Sequence, residues 1–493
     1  MDSSLQEWII EADITRLQAV MEEGAVTSEE LVQAYLERIA RYDIKINSIL
    51  EINPDALETA RALDRERQER GSRGKLHGIP LVLKDNIDTK DRMPTTAGSI
   101  ALAGSFAAAD AGIAAKLRSA GAVFLGKANM TEWSNFMSSR MPAGYSSHGG
   151  YVLNPYGPGE LFVSGSSSGP AAAAAANLAA AAIGTETAGS IVGPASQHLL
   201  VGIKPTVGLA SRSGIIPISG SQDTPGPLAR TVTDAAIILS VIAGRDDRDE
   251  ATWAAGETGT HRDYTDFLDA SFLRQARIGI PRHYYNHLDQ DRRLIMEQAI
   301  AALIREGATL IDPVELHLEE QSWNNDLICY EFKRDLNGYL SQLADLVPVH
   351  SLKELIDFNE QHAETALRFG QDNLIRAEAC QLDEEGYREQ RQASMRLSLE
   401  KGIDAVLDTY SLDALLLPGD VDGMYIAARL GYPLIAVPAG YAAEGIIDAD
   451  GDSTKGPFGV VFSGRAFSEP TLLRIAYGFE QATRHRFPPT LVE

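Results

Sequence analysis

The sequence is poor in cysteine, poor in basic residues and without a long apolar run. Cys329 and Cys380 are its two cysteines. They are too few for a disulfide scaffold, and the absence of a C-x-x-C pair excludes a dithiol redox centre or a cysteine-rich zinc site; both are expected to be reduced thiols. No stretch stays apolar over the roughly 20 residues that a bilayer-spanning helix needs, and Met1 to Ile14 lack the basic and apolar regions of an export signal. A cytoplasmic location is the resulting expectation. Lys and Arg number 44 against 68 Asp and Glu, a net charge of -24, which repels phosphate backbones and anionic membrane surfaces, so neither nucleic acid nor membrane is expected as a partner. The acid is spread through mixed stretches such as Asp64 to Arg70 and reads as a solvated surface.

What remains is an ordinary globular composition, 44% hydrophobic and 23% charged over 493 residues. Length alone would favour about three domains, but large α/β enzymes build one sheet over such a span, and a single domain is expected. Thr27 and Glu30 form a capping-box pattern ahead of Leu31, Tyr35 and Ile39 at helical spacing, and a second helix is expected from Asn53-Pro54 to Gly71. Residues 1–74 therefore read as an N-terminal helical arm.

From Gly78 short apolar runs alternate with helices: Pro80 to Leu83, a helix near Ala111 to Ser119, then Ala122 to Gly126. The rhythm returns at Arg277 to Pro281, Leu294 to Arg305, Thr309 to Ile311, Ala414 to Pro418 and Pro433 to Pro438, and a helix near Thr471 to Thr483 closes the chain. This predicts α/β architecture, a mixed central sheet with helices on both faces. Residues 318–400 read as helix-rich and charged. The acidic stretch Asp448 to Asp452 lacks the glycine and glutamate of a calcium loop and is expected to be a hairpin tip.

The chemistry concentrates in two serine-bearing, glycine-flanked segments, Ser164 to Gly169 (SGSSSG) and Gly184 to Ser190 (GTETAGS), with Lys84 of LVLKDN upstream. Acyl transfer needs a nucleophile, a base and N–H groups aimed at the developing oxyanion, and a Ser-Lys arrangement supplies the first two without histidine. Lys84 follows Leu81-Val82-Leu83 and should emerge at a strand end beside buried surface, where desolvation favours the neutral amine. Asp85 and Asn86 should organise the turn that follows. In Thr185 to Ser190, the successive N–H groups of Thr187, Ala188, Gly189 and Ser190 can converge on one oxygen. The run from Pro170 through Ala182 is helix-forming and small enough to pack closely beneath such a site.

These residues carry a resemblance. Gly78 to Thr89, Ser164 to Ser196 and Val201 to Ala236 resemble the amidase signature family, and within it the peptide amidases; weaker matches at Arg277 to Arg282 and Gly431 to Gln481 extend the likeness over most of the chain. The resemblance implies a single amidase-signature domain with a signature core at 75–245, pocket-shaping segments outside it at 318–400, and a C-terminal part at 401–493 that completes the sheet. It implies Ser190 as nucleophile, Ser166 as a bridging serine on a cis peptide, Lys84 as base, and the amides of Thr187, Ala188, Gly189 and Ser190 as oxyanion hole. Ser167 and Ser168 should hold the loop by hydrogen bonds. No metal or organic cofactor is implied. The expected substrate is a small-molecule or peptide amide, a C-terminal peptide amide first, and the expected assembly a monomer or homodimer. Ala188, Val192 and Gln197-His198-Leu199-Leu200 depart from the usual family pattern.

Three other readings compete. Gly165 to Gly169 also fits the G-x-S-x-G elbow, which would make Ser167 the nucleophile, Leu161 to Val163 the preceding strand, and His362 or His485 the base. Within the family, the glutamine-hydrolysing component of a tRNA-dependent amidotransferase or an aryl-amide or carbamate hydrolase would use the same groups. A catalytically silent scaffold would have little reason to keep Lys84, Ser166 and Ser190 together.

Overall fold

The apolar runs become the middle of a sheet. A computed structural model describes residues 3–253, 261–316, 325–420, 423–448 and 451–491. Its strands are β1 (Ile49–Ile52), β2 (Pro80–Lys84), β3 (Val123–Ala128), β4 (Tyr145–Ser146), β5 (Gly150–Tyr151), β6 (Ala181–Glu186), β7 (Val201–Lys204), β8 (Thr224–Ala229), β9 (Arg277–Gly279), β10 (Thr309–Ile311), β11 (Ala414–Pro418), β12 (Leu434–Ala442) and β13 (Gly456–Ser463). β4 and β5 pair as a separate ribbon. The other 11 form one sheet in the order β1-β3-β2-β6-β8-β7-β12-β13-β11-β9-β10.

The sheet is mixed and flanked by helices. β3, β2 and β6 run parallel to one another, as do β11, β9 and β10, and every other pairing in it is antiparallel. Every residue of β2, β3 and β6 is buried, as parallel strands covered on both faces must be. Lys84 is the last residue of β2, which delivers its side chain at the carboxyl end of the strand.

The helices of the arm form where the caps are. The Thr27–Glu30 capping box is complete ahead of Ser28–Tyr42, and the next helix, Ala56–Arg70, stops at Gly71 with φ +83°. Ile9, Leu31, Tyr35 and Leu63 of this arm join the main hydrophobic core. The alanine run differs from expectation: its helix is Ser168–Ala175, and Ala181 onward is β6. Asn177, at φ +56°, ends the helix, and the Ala180 N–H then donates to the Pro80 carbonyl at 3.0 Å, committing the rest of the run to pairing beside β2. Strand pairing outweighs the helix propensity of alanine here.

Between 325 and 401 the chain forms the helices Asp326–Leu340, Leu352–Gln361, Ala363–Ala366, Asp372–Glu378 and Glu384–Lys401; positions 318–324 of the stretch expected to be helix-rich lie outside the described residues. Cys329, Phe332, Leu336, Leu340, Leu355 and Leu374 from this segment pack with Met130, Trp133, Phe136 and Ile218 into a second hydrophobic cluster, separate from the core around the sheet. Both cysteines are free thiols. Between the antiparallel β12 and β13 the Asp448 N–H donates to the Asp452 carbonyl at 2.9 Å; positions 449–450 of the expected hairpin tip lie outside the described residues. No described helix is long and apolar enough to cross a membrane.

Candidate active site

β2 ends under a set of oxygens. Lys84 is fully buried, and its Nζ lies 2.7 Å from Ser166 Oγ, 3.0 Å from Thr185 Oγ1 and 3.2 Å from the Thr185 carbonyl. No carboxylate is among these partners. Burial penalises the charged ammonium and pulls the Lys84 pKa down to about 7, against the opposing pull of the Asp223 and Glu186 carboxylates. Asn86 Nδ2 donates to the same Thr185 hydroxyl at 3.0 Å. Asp85, as expected, shapes the turn, accepting from the Thr96 hydroxyl and from the N–H groups of Thr96 at 3.2 Å and Gly98 at 3.1 Å.

The serine-rich loop presents Ser166 on a cis Gly165–Ser166 peptide. Ser167 Oγ donates to the Thr185 carbonyl at 3.1 Å and accepts from the Thr185 N–H at 3.3 Å, while Ser168 Oγ donates to the Ser164 carbonyl at 2.6 Å. These bonds hold the loop onto β6, and Gly169 brings it close to its other neighbours. A Cβ on Gly169 would fall 2.1 Å from the Asn129 carbonyl oxygen and 2.5 Å from that of Ser48.

After β6 the chain turns through Thr187 to Ser190 into the helix Val192–Ser196. Glu186 folds back under this turn: its carboxylate accepts from the N–H of Gly189 at 2.9 Å, Ile191 at 2.6 Å and Val192 at 3.0 Å. Gly189, read as a contributor to the oxyanion hole, has its N–H committed to Glu186, whereas those of Thr187, Ala188 and Ser190 donate to no acceptor among the described residues. The carbonyl of Ser190 accepts from the Ser167 N–H at 3.2 Å, which ties the two serine loops together. Ser190 Oγ makes no hydrogen bond among the described residues, and the residue keeps 8% of its surface open. Asp223 braces the turn from outside, accepting from the Thr187 hydroxyl at 2.5 Å and from the N–H groups of Ile218 and Ser219, both at 2.8 Å. Burial raises the Asp223 pKa to about 6.

A cavity of about 410 Å³ opens above this floor, lined by Asn86, Ser134, Thr185, Thr187, Ile216 and Asp223 among others. Sequence reasoning missed Thr185, Glu186 and Asp223; a carboxylate and a hydroxyl inside the Gly184–Ser190 motif were the available signals. His198, in the departing segment, is buried away from this chemistry, with Nδ1 bonded to the Pro194 carbonyl at 2.8 Å and its pKa lowered to about 4 by burial.

The elbow reading fails on geometry. Leu161 to Val163 forms no strand, Ser167 spends its hydroxyl on Thr185, and neither His362 nor His485 is bonded to it. His362 is instead stacked on Phe358 at 4.1 Å between centroids.

Comparison with known proteins finds relatives over nearly the whole chain. The Amidase family model matches residues 30–473. A probable amidase of Arabidopsis thaliana is 42% identical over 98% of this chain and 92% of its own. The X-ray structure of native peptide amidase from Stenotrophomonas maltophilia superposes with a TM-score of 0.89 at 44% identity, covering 98% of this chain and 99% of that one. A glutamyl-tRNA(Gln) amidotransferase component of Myxococcus xanthus is 32% identical over 95% of this chain and 97% of its own.

Proposed function

The chain belongs to the amidase family and is an amide-hydrolysing enzyme, and from that premise we propose that it cleaves primary carboxamides, C-terminal peptide amides first, through Ser190, Ser166 and Lys84. Ser190 Oγ attacks the amide carbon. Its proton passes to Ser166, whose own proton passes to the Lys84 amine, so the bridging hydroxyl is unchanged in net terms. The N–H groups of Thr187, Ala188 and Ser190 stabilise the oxyanion. Collapse breaks the C–N bond, the proton held by Lys84 returns through Ser166 to the leaving nitrogen, and ammonia departs. Water then attacks the acyl ester by the same proton path in reverse and releases the acid.

The observation that carries this reading is the 2.7 Å contact between Ser166 Oγ and a fully buried lysine whose pKa lies near 7. Burial that lowers the pKa this far makes the neutral amine available, and it can take a proton that an exposed ammonium cannot. The likeness to a peptide amidase over nearly the whole of both chains supports the substrate class.

The amidotransferase reading draws on the 32% identity to the Myxococcus protein. Ammonia release from an N-acetyl peptide amide by the purified single chain separates the two. Turnover without added partner or tRNA is expected, with a loss of about 10⁴-fold in Ser190→Ala and measurable activity in Ser167→Ala. Activity only on glutamine with a partner present would favour the amidotransferase role, and faster cleavage of aryl amides or carbamates would move the substrate assignment.

A further inference from the structure

Two cavities border the turn after β6. Besides the one already described, a second of about 210 Å³ is walled by Ala188, Phe136, Ile328 and Met395. The two share Ser221, Tyr387 and Arg391. They are therefore two arms of one cleft, with Thr187 on the first and its neighbour Ala188 on the second. The turn that ends at Ser190 thus borders both arms through Thr187 and Ala188.

Arg391 stands at that junction, four residues beyond Tyr387 on the helix Glu384–Lys401, so the two side chains share a helix face. The surrounding charges are already engaged. Arg212 pairs with Asp249 at 2.5 Å, Arg334 with Asp335 at 2.6 Å and Arg248 with Asp246 at 3.1 Å. Glu331 accepts from the Tyr387 hydroxyl at 2.5 Å and from Ser221 Oγ at 3.0 Å. Arg391 has neither an ion-pair partner nor a hydrogen bond among the described residues. The cleft junction thus carries a guanidinium with no ion-pair or hydrogen-bond partner among the described residues.

We infer that Arg391 selects amides whose acyl group carries a carboxylate, as in the C-terminal amide of an acidic peptide. The inference rests on the reading of Ser190 as the reacting centre. The forked guanidinium matches a carboxylate in two parallel N–H···O bonds, and the apolar wall of the second arm accommodates the stem that carries it. The net charge of -24 opposes an acidic ligand at long range. At physiological salt that repulsion is screened beyond about 8 Å, so the contact inside the cleft decides.

The test uses N-acetyl tripeptide amides in which Glu, Gln or Lys occupies in turn each of the three positions. At one position Glu is expected to exceed Gln by about ten-fold in kcat/KM, mostly through KM, the size of a hydrogen bond to a charged group. The ratio should collapse in Arg391→Gln and turn toward Lys in Arg391→Glu. Turnover without a Glu preference at any position, or a preference that Arg391→Gln leaves intact, overturns the inference alone. Titration calorimetry of the same peptides with Ser190→Ala reads selectivity apart from chemistry. A Glu preference there, lost in the Ser190→Ala, Arg391→Gln double variant, supports the role of Arg391 even if wild type turns over none of the amides, a result that would overturn the proposed reaction instead.

Discussion

Thr185 holds Lys84 twice, through its carbonyl at 3.2 Å and its hydroxyl at 3.0 Å. A neutral amine has two N–H bonds and one lone pair. With both N–H bonds spent on Thr185, the lone pair is left for Ser166. Thr185→Val removes the hydroxyl and keeps the shape, so kcat/KM should fall by about ten- to a hundred-fold as the amine loses its orientation. Thr185→Ser should restore most of the loss; equal loss in both would point to packing instead.

The pH profile tests the charge state of Lys84. In the proposed mechanism acylation requires the neutral amine, so kcat/KM should rise through pH of about 7 and level off above it. The Asp223 carboxylate raises this pKa; Asp223→Asn removes the negative charge and should move the limb to lower pH. Lys84→Ala should abolish the limb with most of the activity. A limb that survives in Lys84→Ala would place the base elsewhere.

The same shift has a sign in stability. The Lys84 pKa is lower folded than unfolded, so between about 7 and 10.5 the unfolded chain holds a proton that the folded one has lost. Wild-type stability gains from this group as pH rises through that window. Lys84→Met removes the burial cost. It should melt higher than wild type at pH 6, with the gap narrowing toward pH 10, as measured by calorimetry.

Two glycines should respond oppositely to alanine. At Gly169 the added carbon meets backbone oxygens at 2.1 and 2.5 Å, which cannot be relieved by a rotamer change, and a loss of about 1–3 kcal/mol or more is expected. Gly338, inside the helix Asp326–Leu340, has nothing within 4 Å of that position. There alanine should gain about 0.5–1 kcal/mol through helix propensity. Chemical denaturation of both variants reads the contrast.

The α/β rhythm is legible because parallel central strands demand uninterrupted apolar runs, as at Leu81 to Leu83, and because Thr27, Glu30 and Gly71 are local caps. The alanine run misleads past Ala175 because its end is set by Asn177 and by pairing with β2, which lies about 100 positions away in sequence (181 against 81). Lys84, Ser166 and Ser190 are legible as motif residues. The roles of Glu186 and Asp223 are not, since each depends on which amides a folded turn leaves free. The cleft junction at Arg391 is equally hidden, because it joins a turn at Ser221 to a helix about 170 positions later in sequence (391 against 221).

The two hydrophobic clusters divide the enzyme's labour. β2 and β6, which carry Lys84 and the turn to Ser190, are rooted in the main core. Arg334, Asp335, Ile328 and Glu331 line the cleft from a helix whose Cys329, Phe332 and Leu336 sit in the other cluster. This wall of the cleft is thus seated in a different packing unit from the one that carries Lys84 and the turn to Ser190. A substitution that loosens the second cluster is therefore expected to reshape the cleft wall while β2 and β6 stay seated in the main core.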